Sequence, residues 1–188
     1  MRAIKLTALL LCVLMVSCSN QEDQNFTQFV DPFIGTADHG HTFPGATTPF
    51  GMVQLSPDNG RSGWDWCSGY NWIDSTIVGF SHKHLSGTGI GDLADILFCP
   101  TTKQSDNSNF VPAKEFALHY KSWFSHEEES ATPGYYSVIL RDWDTHENPI
   151  EVELTATPRV GIHKYSFPDD QEANVMIDLG FAIITFAS

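Results

Sequence analysis

The chain has 188 residues, with 23 acidic side chains against 10 basic ones and a formal net charge of −13. That length allows one domain with a sizeable core and excludes two large ones. The acidic balance excludes nucleic acid as a partner, because phosphate binding needs a basic patch, and it suits a neutral or polar ligand.

Arg2 and Lys5 precede an apolar run from Leu6 to Val16, followed by Ser17-Cys18 and then a polar stretch. A charged start, a short apolar segment and a small residue before the cut read as an export signal over residues 1–18. The run falls short of the roughly 20 apolar residues that a bilayer crossing needs. Cys18, directly at the cut, resembles a bacterial lipobox cysteine, with Met15 standing where leucine is usual. A lipid on Cys18 would tether an otherwise soluble domain to a membrane surface; a plain secretory signal with an incidental cysteine is the other reading. Residues 19–28 are polar and read as a flexible tether, and the domain proper is expected over residues 29–188.

From Phe29 onward, turn residues punctuate short segments rich in Val, Ile, Phe and Tyr. Strands are expected at 51–55, 76–80, 95–98, 135–140, 160–167 and 175–179. The clearest strand is Ile150–Ala156, where apolar and polar residues alternate strictly. Short antiparallel strands separated by Gly and Pro turns predict an all-β, antiparallel β-sandwich. Only Ala113–Phe124 has helical spacing, with Phe116, Tyr120 and Phe124 four residues apart. The apolar end, Phe181 to Ala187, reads as a strand without its partners, so the chain is expected to be a fragment of a longer protein.

Two cysteines lie in the domain, Cys67 and Cys99. In an exported protein they form either a disulfide or two separate buried thiols, and spacing does not choose between these. The loop containing His39-Gly-His41 is dense in residues that permit tight turns. In Gly63–Tyr70, Trp64 and Trp66 flank Asp65, which suits a pocket wall: aromatic faces stack on sugar rings and a carboxylate accepts hydroxyl hydrogen bonds. Core packing is the plain alternative for either tryptophan. His82 and His84 would share a face of a strand, the start of a zinc or copper site if His39, His41 or Asp92 completed it. Structural histidines bonded to loop backbone fit the pair equally well, and no metal ligand is assigned. Glu127–Glu129 reads as a solvated acidic run, and His119, His126, His146 and His163 as surface or locally satisfied groups.

Taken in order, VDPFIGT from Val30, PGA at 44–46, PFGM at 49–52, SGY at 68–70, GFSH at 79–82, HLSGTG from His84, FSH at 124–126, PGYY at 133–136 and ELTA at 153–156 closely resemble the amino-terminal domain of glycoside hydrolase family 92. The resemblance covers about Phe29 to Leu179. It implies an exported, calcium-dependent, inverting exo-acting α-mannosidase of two domains, a β-sandwich followed by a much larger (α/α)6 barrel. The sugar would sit between them, with the acid, the base and the calcium ligands on the barrel, which is missing from this chain.

By that resemblance no catalytic residue is assigned here, and the sandwich alone is expected to be inactive. Trp64, Asp65, Trp66, His39, His41, His82 and His84 are the expected pocket-wall or interface groups. The expected partners are mannose-containing glycans, the barrel and, through Cys18, a membrane surface of the periplasm or outer membrane. A stand-alone carbohydrate-binding surface lipoprotein is the second reading.

Overall fold

The computed structural model describes residues 25–87, 89–91, 93–103 and 119–183. The expected signal, Cys18 and most of the tether lie outside these residues, as does the 113–118 part of the expected helix. The strands pair antiparallel in two sheets, giving the expected sandwich. One sheet runs in the spatial order β1 (Ala46–Thr47), β2 (Gln54–Asp58), β4 (Gly79–Ser81), β5 (Leu97–Thr101) and β11 (Asn174–Asp178). The other runs β10 (Gly161–Ser166), β9 (Ile150–Ala156), β8 (Tyr135–Asp142), β6 (Ser122–Trp123) and β3 (Thr76–Ile77), with β7 (Glu129–Thr132) also paired to β8.

Alternation decides what faces inward. Tyr136, Val138 and Leu140 of β8 and Ile150, Val152 and Leu154 of β9 turn into the sandwich, while the residues between them are more exposed. They meet Leu55 of β2, Phe80 of β4 and Ala46 of β1 from the opposing sheet. Each of the buried Val, Leu, Ile and Phe side chains contributes about 1.5–3 kcal/mol through area removed from water. A second cluster of Val78, Leu97, Cys99 and Tyr120, with Met176 and Phe181 against it, is separate from the first. Because Leu97 and Cys99 alternate with Phe98 along β5, that sheet is covered on both faces. Tight turns fix register: in the β7–β8 hairpin Thr132 pairs with Tyr135, Pro133 presets one turn dihedral and Gly134 takes the positive φ of 83°.

Several expected elements are corrected. The segment 76–80 is two strands, because the chain leaves one sheet after Ile77 and enters the other at Gly79. Ser122 and Trp123 pair with β8 and β3, so the expected helix does not reach Phe124. Cys67 and Cys99 are both buried and both free thiols, so no disulfide joins them. Burial pushes the Cys99 thiol up, with Asp178 and Asp58 adding to the effect, which leaves it protonated and unreactive. Glu129 does not belong to a solvated run; its carboxylate is fully buried.

Candidate functional site

Two loops converge beside the sandwich. In the first, Gly40 packs so closely on Gly35 that a Cβ at position 40 would lie 2.1 Å from the Gly35 carbonyl oxygen. Thr42 N–H also donates to that carbonyl at 3.2 Å. Asp38 and His41 take left-handed backbone conformations, with φ of 47° and 52°, a strain held in place by the surrounding contacts. The second loop carries a single 3-10 turn, Trp64–Trp66. The turn sends Trp64 and Trp66 to different partners.

Asn71 clamps the loops together. Its buried side-chain amide donates to the carbonyls of Asp65 at 3.1 Å and Asp38 at 3.5 Å. Trp72 N–H donates to the Thr36 carbonyl at 2.9 Å and adds a second tie. The clamp sets His39 Nδ1 2.5 Å from Asp65 Oδ1. One donor atom from each of His39, His41 and Asp65 lies within 4.8 Å of the others. The Trp64 ring stands edge-on to His41, centroids 4.9 Å apart, and is 59% exposed. Trp66 is anchored differently: its indole N–H donates to Asp74 at 2.5 Å, and Arg61 covers its ring while pairing with Asp74 at 2.9 Å.

The chain's residues 29–186 match the model of the Glycosyl hydrolase family 92 N-terminal domain. This chain belongs to glycoside hydrolase family 92. A protein of Arthroderma benhamiae described as an uncharacterized secreted glycosidase is 30% identical over 180 residues, covering 91% of this chain and 22% of that protein. The solved family GH92 α-mannosidase BT3965 from Bacteroides thetaiotaomicron, in complex with mannoimidazole, is similar with a TM-score of 0.71 at 37% identity, over 84% of this chain and 20% of that one. The family glycosyl hydrolase ccman5 gives a TM-score of 0.70 at 32% identity, over 84% and 21%. The family 92 domain here thus spans about a fifth of the length of these relatives.

Within the family 92 domain, four of the expected site residues come together: His39, His41, Trp64 and Asp65. His82 and His84 do not join them. The His84 side chain has no exposed surface. Its Nδ1 donates to the Gln54 carbonyl at 2.8 Å, and its Nε2 lies 3.1 Å from Asp58 and 3.2 Å from Ser81 Oγ, a structural histidine. His82 Nδ1 donates to the Ile96 carbonyl at 3.1 Å, and its Nε2 meets His163 Nε2 at 3.3 Å. Burial, helped by His82, pushes the His163 imidazole down to about 4, so that ring is neutral at neutral pH.

Sequence reasoning missed Asn71, Trp72 and His126. Trp72 stacks on His126 with centroids 3.8 Å apart and meets Phe33 edge-on at 5.1 Å. With Asp31, Phe33, Ile34, Gly35, Thr36 and Ala37 it lines a cavity of about 410 Å³. The available signal was position, since Asn71-Trp72 directly continues the aromatic run that ends at Tyr70.

Proposed function

We propose that this family 92 domain is the sandwich part of an exported, inverting exo-α-mannosidase that acts on glycans. It would present wall contacts to terminal mannose, while an (α/α)6 barrel supplies the acid and the base. The observation that carries the reading is the exposed Trp64 ring beside the His39–Asp65 pair, an apolar face next to polar atoms as a sugar requires. The similarity to an α-mannosidase solved with mannoimidazole supports the choice of sugar. Inversion needs two carboxyl groups roughly 6.5–9.5 Å apart across a pocket. Asp65 is engaged by His39, and Asp74 by Arg61 and Trp66; the catalytic pair is assigned to the barrel by the family resemblance.

Calcium dependence is part of the proposal, but the side chains gathered here do not fit that ion. Calcium takes six to eight oxygen ligands, whereas His39, His41 and Asp65 offer two imidazoles and one carboxylate. No step is routed through calcium on this chain, and its ligands are assigned to the barrel.

The purified chain is expected to release no mannose from an aryl α-mannoside. Joined to a family 92 barrel it is expected to do so, with Trp64→Ala lowering kcat/KM by roughly tenfold for each 1.4 kcal/mol of lost contact and barely shifting the melt. Release by the chain alone, or an unchanged kcat/KM in the Trp64→Ala chimera, would overturn the reading.

The anchor is proposed at Cys18. Cell fractionation of a Cys18→Ala protein with its signal cleaved is expected to move it from the membrane to the soluble fraction. Retention at the membrane would remove the lipoprotein reading.

A further inference from the structure

We infer that His39, His41 and Asp65 form a binding site for a divalent transition ion of the zinc class, separate from any calcium site of the enzyme. The donor set comes first. Two imidazoles and one carboxylate are the ligands that Zn²⁺ accepts in three-ligand sites, with a further position left for water or another oxygen. The same set is poor for calcium and magnesium, which take oxygen.

Proximity is the second observation. One donor atom from each side chain lies within 4.8 Å of the others, and the chain brings them from loops far apart in sequence. Ligand atoms about 2.0–2.2 Å from one tetrahedral ion sit roughly 3.3 Å from each other. His39 and Asp65, now 2.5 Å apart, would separate slightly and His41 would draw in. The His39 side chain is 74% exposed and free to make that adjustment, releasing to solvent any proton it shares with Asp65.

The third observation is independent of the other two. His41 is only 5% exposed, and its buried Nε2 has no hydrogen-bond partner among the described residues. A buried polar atom without a partner is costly, and the left-handed backbone at His41 adds to the strain. The fold retains both, as it would where the ring serves a ligand. The Asn71 bridge between the Asp38 and Asp65 carbonyls fixes the two loops from behind, the supporting role that outer groups play around metals. With a net charge of −13, the chain's long-range field also favours a cation.

The test is a Co²⁺ titration of the full chain, followed by visible absorption and then by displacement with Zn²⁺. The expected result is one saturable site with ligand-field bands and no thiolate charge-transfer band, displaced by Zn²⁺ and not by millimolar Ca²⁺. His39→Ala and Asp65→Asn, both at solvent-facing positions, are expected to weaken it at least ~10-fold each, since changes even in outer-shell partners reach that size. Circular dichroism of each variant checks that it folds, and His41→Gln supplies a third probe. Absent saturable binding, a thiolate band, or affinity unchanged in the folded His39 and Asp65 variants would overturn the proposal. Because the readout uses the metal alone, its failure leaves the mannose reading standing, and the reverse holds.

Discussion

Replacing Asp58 with alanine is expected to destabilise the domain by about 1–3 kcal/mol for each buried hydrogen-bonding group that it deprives of a partner. Asp58 sits at the end of β2 with its carboxylate almost wholly buried. One oxygen accepts from Ser81 N–H at 3.0 Å, and the other faces His84 Nε2 at 3.1 Å. The His84 ring spends its other nitrogen on the Gln54 carbonyl, so it cannot turn to a new acceptor without breaking that bond. Alanine at 58 therefore strands the Ser81 N–H where water does not reach and leaves His84 Nε2 to Ser81 Oγ, 3.2 Å away. For a domain of this size the loss lowers Tm by on the order of 10 °C. His84→Ala is expected to cost a similar amount. The double variant should cost much less than the sum of the two, because each single change destroys the same interaction. Thermal melts of the three variants check this, and additive losses, or a loss below ~1 kcal/mol for Asp58→Ala, would show that the pair does not hold β2 to the segment after β4.

Glu129→Ala is expected to have an effect of the same order, about 1–3 kcal/mol for each buried hydroxyl left without its acceptor, through a different part of the molecule. The buried carboxylate accepts from the hydroxyls of Tyr70 at 2.9 Å and Tyr136 at 2.7 Å, and it meets His126 Nδ1 at 2.7 Å. Burial, followed by the charge of Glu129, pushes both phenols well above their ordinary range, which keeps them protonated as donors. Glutamine at 129 is expected to cost less than alanine but more than nothing, since its amide nitrogen must face a donor. The change should also reach the site. His126 carries the stacked Trp72 ring and bonds the Trp72 carbonyl at 2.6 Å, so a loosened His126 frees the Phe33–Trp72 wall. Denaturant melts together with tryptophan emission measure both effects. A stable Glu129→Ala protein with unshifted emission would count against the network.

Sequence pattern located the sandwich better than it located the strand ends. Ile150–Ala156 came out with its bounds correct, because alternation there is strict and one face is buried. Strands β2 and β5 begin and end later than expected, and each contains a proline, Pro57 and Pro100. Proline argues against an interior strand, so the expected segments stopped short of them. The two residues of β1 and of β6 are too few to show a period, and the four of β7 are largely polar. The apolar run at 76–80 gave no sign that its halves enter different sheets, since such a run is apolar whichever way it turns.

The site was legible as residue types and not as a grouping. His39, His41, Trp64 and Asp65 were singled out for their chemistry, but what joins them is the Asn71 amide, an ordinary residue between an aromatic pair. The equal suspicion placed on His82 and His84 came from assuming that the strand continued. It ends at Ser81, and beyond it the two rings go to separate partners.

The pairing of β11 with β5 sets Asn174 against Thr101 and Asp178 against Leu97, so one sheet is closed by residues distant along the chain. Non-local pairing of this kind slows folding, because loop entropy is lost before the contact forms. During synthesis from the amino terminus, β5 reaches the outside long before its neighbour does. Throughout that interval its hydrogen-bonding edge is open, with Leu97 and Cys99 lacking the Met176 that later packs against their cluster. The partly emerged chain is thus at its most prone to wrong association just before Asp178 appears, and holding it unfolded until then is what the topology asks of the cell.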